Sequence, residues 1–440
     1  MSRGYRLRFR SMLCMLRESL EGMPEHRCGK NRRYEITAAG LAAFGVFFMQ
    51  WPSFLARQRD MQRRKGQNNA RSLFQVDCIP SDGQTRNLLD PLDAERLGPV
   101  FWGVYDQLDV GEYLAFYQGV GGTRLISLDG TQYFSSQKVH CDDCRVTVKD
   151  GEKHYAHQVL LAVVCAAEQA HVVCLEPEFI TPQDGHEKQD CEQQAIKRWV
   201  ERNARRFDPW SVTILADDLH CHQPTCELLL KHQLHFIITC KSESHPTLYE
   251  ELRLLERVEG AISTKTVRRW NGRYHERWEY RWAEQVPLRK GAKKLRVNWC
   301  ALTVVREDSG EQLYHNAWAT DHDLNETTLV EVVRDGRSRW KVENEGINVL
   351  KNRGYNFEHN YGHGQQHLSK VLLTLLLLAF LFHTALDLSC LVYQAVRREL
   401  GARRTFFDDL RALTRYHYFA SLRQLLTFMY QRLELGSKPP

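Results

Sequence analysis

Two acidic residues stand where carboxylates could bind a divalent metal ion. Asp129 lies in L-I-S-L-D-G-T, on a predicted strand that ends at Gly130, and Asp217 follows the apolar run T-I-L-A in the same way. If the two strands are neighbours in one sheet, the carboxylates converge, and like charges held that close favour a cation between them. Without that pairing, both residues would merely cap the turns after their strands.

A third acid, Glu343, lies in R-S-R-W-K-V-E-N-E-G on a predicted helix. Arg339 precedes it by four residues, so the two side chains share a helix face. They could form a surface ion pair, or Arg339 could hold a phosphate while Glu343 completes a metal site. Three carboxylates suit Mg²⁺ and the two-metal chemistry of phosphoryl transfer.

The elements that would position these acids indicate a mixed α/β sheet with helices at both ends of the chain. Residues 1–120 are mainly helical, 121–243 alternate strands and helices, 244–320 are antiparallel β, and 321–395 and 396–440 return to helix. Hydrophobic patterns predict strands at 123–129, 156–165, 171–175, 212–217 and 235–241, and helices at 188–207 and 224–232. Hairpins are predicted to turn at 271–272 (Asn-Gly) and at 308–310 (Asp-Ser-Gly).

The segments L-D-G-T, A-D-D-L-H and R-W-K-V-E resemble the D, D and E segments of DDE transposases of bacterial insertion sequences. The resembling group has a β-rich insertion before the Glu and a Tyr-Arg-Glu-Lys signature around it. The resemblance implies an RNase H-like core, interrupted by residues 244–320, that cuts the element's ends and joins them to target DNA with Mg²⁺ or Mn²⁺. It implies metal-binding roles for Asp129, Asp217 and Glu343, and DNA contacts for Arg339 and Lys351.

The chain departs from that signature at two positions. Gly336 stands where the signature has Tyr, and Leu350 stands where it has Lys, with Lys351 one residue further on. The Lys therefore does not decide which glutamate of E-N-E belongs to the site.

Two of the acids have a competing neighbour. Glu345 follows Glu343 by two residues, which places them on different sides of a helix. The Trp-x-Val-Glu spacing favours Glu343. Asp218 competes with Asp217, and the position at the strand end favours Asp217; its neighbour would contact DNA-bound water or cap residues 219–222.

A second group of metal-ligand types follows the first Asp. Cys141 and Cys144 form C-x-x-C, and His154 and His157 form H-x-x-H, a set that could hold zinc tetrahedrally and pin a β-hairpin. All four positions would then be filled, so the ion would be structural; alternatively, the group binds nothing. His363, in E-H-N-Y-G-H-G, lies between glycines that indicate a loop, and no ligand role is predicted for it.

Aromatic and basic residues interleave on the predicted hairpin V-R-R-W-N-G-R-Y-H-E-R-W-E-Y-R-W. Aromatic faces can stack on unpaired bases while arginines hold phosphates, which makes Trp278 a candidate DNA contact. The alternative is cross-strand aromatic packing within the hairpin.

Composition indicates the cellular compartment and the kind of partner. The 13 cysteines are an odd number scattered along the chain, and no apolar segment follows the basic start, so we expect a reducing, cytoplasmic setting. The apolar run 371–382 is shorter than the roughly 20 residues of a membrane span and predicts a buried helix. Basic clusters, including one in the first 33 residues, suit a polyanion.

The sequence therefore predicts a nucleoid-associated DDE transposase that acts on terminal repeats and target DNA. The basic helices of 1–120 are candidates for end recognition, and the resemblance implies a homodimer that holds two ends. Two other functions remain open: an RNase H-like nuclease that only hydrolyses, and a catalytically silent DNA-binding protein derived from a transposase.

Overall fold

The computed structural model describes residues 7–28, 32–52, 58–62, 68–182, 191–359, 361–436 and 439. Within these ranges eleven strands form one mixed sheet. The strands are β1 Arg124–Ser136, β2 Arg145–Lys149, β3 Glu152–Cys165, β4 Val173–Cys174, β5 Glu178–Ile180, β6 Val212–Ala216, β7 His235–Thr239, β8 Ser263–Trp270, β9 His275–Pro287, β10 Arg296–Arg306 and β11 Gln312–Thr320.

Helices cover both ends of the chain and the connections between strands. They are α1 Phe9–Glu21, α2 Ile36–Phe48, α3 Asn69–Phe74, α4 Asp82–Leu89, α5 Gly98–Val110, α6 Glu192–Asn203, α7 Gln223–Lys231, α8 Pro246–Leu255, α9 Thr328–Arg337, α10 Asn348–Asn352, α11 Leu368–Ser389, α12 Leu391–Leu400, α13 Arg403–Tyr416 and α14 Leu422–Arg432. A π-helical segment, Val342–Ile347, leads directly into α10.

The strand order is β2-β3-β1-β6-β7-β11-β10-β9-β8, with β4 and β5 also paired to β3. Strands β1, β6 and β7 run parallel, and the other pairs are antiparallel. Both β6 and β7 are short apolar runs, and every residue of β6 is buried, as expected for parallel strands covered on both faces. They confirm the predicted strands at 212–217 and 235–241.

The prediction that 244–320 is antiparallel β is wrong at its start, where α8 forms. The strands β8 to β11 that follow continue this same sheet, because β11 pairs with β7. The two predicted hairpins are confirmed: β8 pairs with β9 and β10 pairs with β11. Each turn contains a glycine in the left-handed region, Gly272 at φ +93° and Gly310 at φ +71°, where a side chain would be strained.

The predicted end of the first strand at Gly130 is wrong, since β1 continues to Ser136. The cause is its antiparallel partner β3, which stays paired from Leu125↔Cys165 to Ser136↔Tyr155. The parallel partner β6 stops at Ala216. Asp129 therefore lies in the middle of a strand, at the point where one of its two neighbouring strands ends.

Helix α11 is the core of the helical part of the molecule. It is long and apolar enough to cross a membrane, but nearly all of its most apolar stretch is buried within the protein, as in the core helix of a globular domain. Its His383 bridges two other elements: Nδ1 lies 2.7 Å from Tyr355 Oη, and Nε2 lies 3.0 Å from the carbonyl oxygen of Phe48.

The N-terminal and C-terminal helices pack together around α11. The Arg411 guanidinium in α13 donates to the carbonyl oxygens of Met49 and Gln50 after α2. The Asn69 amide donates to the carbonyl oxygen of Thr414 at 2.6 Å. Residues from opposite ends of the chain thus support one helical layer beside the sheet.

Candidate active site and Cys-His centre

Strands β1 and β6 place Asp129 and Asp217 at corresponding positions. Their parallel register pairs Ser127 with Leu215, and each aspartate lies two residues further on. Asp217 is the first residue after β6, and its charge is among those that raise the pKa of Asp129. The condition for convergence, that the two strands are neighbours, is therefore met.

Glu343 reaches the same region from the π-helical segment. The hydroxyl of Ser127 on β1 donates to the carbonyl oxygen of Arg339 at 3.2 Å, which holds this segment against the sheet. Arg339 Nη2 forms a 2.6 Å ion pair with Glu343 Oε1. Glu343 is among the charges that raise the pKa of Asp129, and Glu345 is not. Single π-helical turns are frequent at functional sites.

A fourth carboxylate, from Glu192 in the first turn of α6, was not predicted from the sequence. Its Oε1 lies 2.9 Å from His220 Nε2, and that nitrogen lies 3.6 Å from Asp217 Oδ1. A Cβ added to Gly130 would lie 2.2 Å from Glu192 Oε2, so the glycine makes room for this acid. A helix was predicted at 188–207, of which 188–190 lie outside the described residues, and α6 forms within the rest. No local signal shows that the start of α6 faces Asp217.

Asp129, Asp217, Glu192 and Glu343 form an acidic site in which burial makes the ionised forms of the two aspartates costly. Burial raises the pKa of Asp129 to about 7; Arg339 opposes this shift, while Glu343, Glu192 and Asp217 add to it. Burial also raises the pKa of Asp217. The Arg339 guanidinium opposes the pKa shift of both aspartates and pairs with Glu343. Its Nη1 is buried without a hydrogen-bond partner in the described part of the chain. A hard divalent cation would relieve this repulsion, so the donor set fits Mg²⁺.

The two adjacent aspartates have different environments. Asp217 Oδ1 accepts a hydrogen bond from the backbone N–H of Leu219 at 3.1 Å, so Asp217 itself caps the short turn that follows. Asp218 Oδ1 instead accepts from the backbone N–H of Lys241 at 2.6 Å and lies 3.1 Å from His245 Nε2. The predicted capping role of Asp218 is wrong, because its Oδ1 instead fixes the chain after β7; the contact with DNA-bound water stays a prediction.

The other candidate DNA contacts are engaged within the protein. Lys351 Nζ forms a 2.7 Å ion pair with Glu358 Oε1. Trp278 is half-buried, and the guanidinium carbons of Arg269 and Arg337 lie 4.1 and 5.0 Å from its ring centroid. DNA would have to replace or share these contacts.

Cysteine and histidine side chains form a separate cluster, the Cys-His centre, beside the hairpin of β2 and β3. Cys141, Cys144, His157 and His363 place their ligand atoms within 4.8 Å of one another. His154 is not in this group, so the predicted four-residue set is wrong at one position. His154 and His157 both lie on β3, where residues three apart point to opposite faces of the sheet. Two histidines at H-x-x-H spacing can bind one metal ion from the same face of a helix, but on a strand they lie on opposite faces and cannot.

The family of the chain follows from a comparison with known protein families. The family model of the transposase DDE domain matches residues 130–381, which is more than half of the chain and includes Asp217, Glu343 and the antiparallel segment. The chain therefore belongs to the DDE-domain transposases. No curated protein matches it. As a family member it is a transposase that acts on DNA.

Proposed function

We propose that the protein cleaves DNA at the ends of an insertion sequence and transfers the freed strands to target DNA in a metal-dependent reaction. The observation that carries this proposal is the parallel register of β1 and β6, which aligns Asp129 with Asp217. Within electrostatic range of Asp129 lies Glu343, from a helical segment more than a hundred residues later. A folding role alone gives no reason to gather these acids.

Asp129, Asp217 and Glu343 would hold Mg²⁺ or Mn²⁺. Bound there, such ions supply activation of the attacking oxygen and stabilisation of the leaving oxygen. His220 lies between Glu192 and Asp217. We therefore propose that His220 and Glu192 orient the Asp217 carboxylate. Hydrogen-bonded partners behind metal ligands commonly have this effect.

Arg339 would change partners when DNA enters. In the protein alone it neutralises Glu343 and contributes to the field at Asp129. A phosphate group of DNA is a better partner for a guanidinium than a carboxylate that is needed for the metal. We propose that Arg339 moves to the phosphate, and that Lys351 and Trp278 also contact DNA by exchanging their internal partners.

Recognition of the element's terminal repeats is assigned to the basic helices of residues 1–120, and a homodimer would hold two ends together. Deleting 1–120 would remove the partners of α11 and α13 described above, so the test uses charge changes instead. Replacing exposed Arg10 and Arg71 by Gln should weaken end binding in a gel-shift assay. Unchanged binding to the ends would refute this role.

The decisive experiment uses labelled DNA that carries the element's own ends, taken from the sequence flanking its gene, with Mg²⁺ or Mn²⁺. Intact protein is compared with Asp129→Ala, Asp217→Ala and Glu343→Ala, and with Glu345→Ala as the matched control. We expect cleaved and joined products from the intact protein and the control, and none from the other three. Cleavage without joining would show a nuclease, and binding without cleavage by the intact protein would show a silent DNA-binding protein.

A further inference from the structure

We propose that Cys141, Cys144, His157 and His363 bind a structural zinc ion. The distances between their ligand atoms have the tetrahedral pattern that zinc requires. With bonds of about 2.3 Å to sulfur and about 2.05 Å to nitrogen, a tetrahedron has edges of about 3.8 Å for S–S, about 3.6 Å for S–N and about 3.3 Å for N–N. The structure has 4.0 Å between the two sulfurs, 3.5 Å from Cys144 Sγ to each histidine Nε2, and 3.0 Å between the two nitrogens.

The site is closed, as structural zinc sites are. Cys144, His157 and His363 are 2%, 1% and 7% exposed, and Cys141 is half-buried. Four protein ligands fill the coordination sphere, so no position remains for water or substrate. Two thiolates and two imidazoles select zinc over the hard ions that suit the acidic site.

A neighbouring backbone carbonyl group fixes the orientation of the His363 ring. Its Nδ1 lies 3.0 Å from the carbonyl oxygen of Gly364, which makes Nδ1 the protonated donor and leaves Nε2 free to bind a metal. The flanking Gly362 and Gly364 have φ of +152° and +73°. A Cβ at Gly364 would lie 2.2 Å from Asp90 Oδ1. The glycines that indicated a loop without function therefore allow the turn that presents this histidine.

The loop itself is anchored at the end of α4. The Asp90 carboxylate accepts hydrogen bonds from the backbone N–H groups of Gln365, Gln366 and Leu368 at 3.0–3.1 Å. The Asp90 carbonyl oxygen accepts a fourth from the N–H of His367. A preformed loop lowers the entropic cost of binding the ion, because little chain must be ordered at that step.

The ion would join two parts of the molecule that carry different catalytic acids. His157 lies on β3, the antiparallel partner of the strand that carries Asp129. His363 lies on the connection from the Glu343 segment and α10 to α11. A second link crosses the same junction, a 2.6 Å ion pair between Asp143 and Lys370. Zinc would thus fix the chain after Glu343 to the sheet that bears Asp129.

The test is metal content of the intact purified protein, measured by mass spectrometry of the metal, which is independent of any DNA reaction. We expect one zinc ion per chain in the unmodified protein and in His154→Ala, the matched control from the same strand. Cys144→Ser and His363→Ala should retain less than about a tenth of it, since each removes a quarter of a tetrahedral site. Zinc retained by His363→Ala but lost by His154→Ala would overturn the assignment.

A second measurement covers the case in which those variants fold poorly. His363→Cys keeps a zinc-binding residue type at the position and should retain the ion. Replacing zinc by Co²⁺ in the unmodified protein should give the absorption of a tetrahedral site with thiolate-to-metal charge transfer, and His363→Cys should strengthen the charge-transfer bands. An unmodified protein without zinc after purification in zinc-containing medium, or a Co²⁺ spectrum without thiolate bands, would refute the proposal.

Discussion

The two candidate metal sites are built in opposite ways. The acidic site gathers hard oxygen ligands at the end of a parallel strand pair, and Glu343 and Asp217 remain substantially exposed, at 47% and 40% of their side chains. The Cys-His centre gathers thiolate and imidazole ligands from distant segments and buries three of the four. An open site with mutually repelling carboxylates suits a metal ion that also binds substrate, whereas a closed site suits a metal ion that stabilises the fold.

We expect the largest difference between the two sites when each metal ion is removed in turn, with DNA cleavage and the thermal midpoint of unfolding as readouts. Dialysis into buffer free of divalent ions should abolish cleavage and joining, and added Mg²⁺ should restore them. The thermal midpoint should change by only about 1–2 °C, because the acidic site is preformed by the strand pair. Removing zinc with phenanthroline should lower the midpoint by roughly 10 °C or more, since binding energy at a structural zinc site is folding energy.

The control for this comparison is the order of addition. Mg²⁺ should not restore the thermal midpoint after phenanthroline treatment, and Zn²⁺ should. If Mg²⁺ alone restored both activity and midpoint, the two sites would not be distinct in the way their ligands indicate. Differential scanning fluorimetry and the labelled-DNA assay, run on the same samples, give both readouts.

The two sites also differ in how far the sequence could predict them. Asp129 and Asp217 follow apolar runs whose pairing the sheet rules suggest, so their convergence could be anticipated. The register that aligns them, and Glu192 above Gly130, depend on tertiary packing. In the Cys-His centre, the local pattern offered His154, and strand alternation excluded it. His363, 206 positions from His157, could be placed only by the fold.

The hairpins and the short parallel strands could be predicted because local sequence signals specify them. Short apolar strands and the Asn271-Gly272 turn are specified by neighbouring residues, and these local signals determined the structure there. The length of β1 was mispredicted because its last residues are held by β3, a partner that the sequence of β1 does not reveal.

A substitution behind the acidic ligands should have an intermediate effect. Glu192→Gln keeps the shape of the side chain but removes the charge that faces His220 at 2.9 Å. If Glu192 orients Asp217 through His220, cleavage should fall by about 10–100-fold. The loss should shrink at higher Mg²⁺ concentration, because a poorly oriented ligand weakens metal affinity first.

The control for this prediction is Glu201→Gln, an exposed acid on the same helix, which should leave cleavage unchanged. A loss in Glu192→Gln that does not depend on Mg²⁺ concentration would assign Glu192 to folding or to DNA binding. Full activity in Glu192→Gln would show that the Asp217 carboxylate needs no support from this side.

The smallest expected effect tests the electrostatic strain in the acidic site directly. Burial raises the pKa of Asp129 to about 7, above its unfolded value of about 3.9. The folded protein therefore binds the proton more tightly, and its stability falls as the pH rises between these two values. Asp129→Asn removes this penalty, so in Mg²⁺-free buffer at about pH 8 its thermal midpoint should exceed that of the unmodified protein by about 1–2 °C.

The sign of this difference is what distinguishes a functional acid from a structural one. At about pH 4 the gap should close, because the carboxyl is largely protonated in the folded protein and half so in the unfolded chain. Saturating Mg²⁺ should cancel the advantage of Asp129→Asn, since at this position only the aspartate gains from the ion. If Asp129→Asn instead lowered the midpoint at about pH 8 without Mg²⁺, the carboxylate would be stabilised by its surroundings. The acidic site would then resemble the Cys-His centre, as a place where the protein supports its fold.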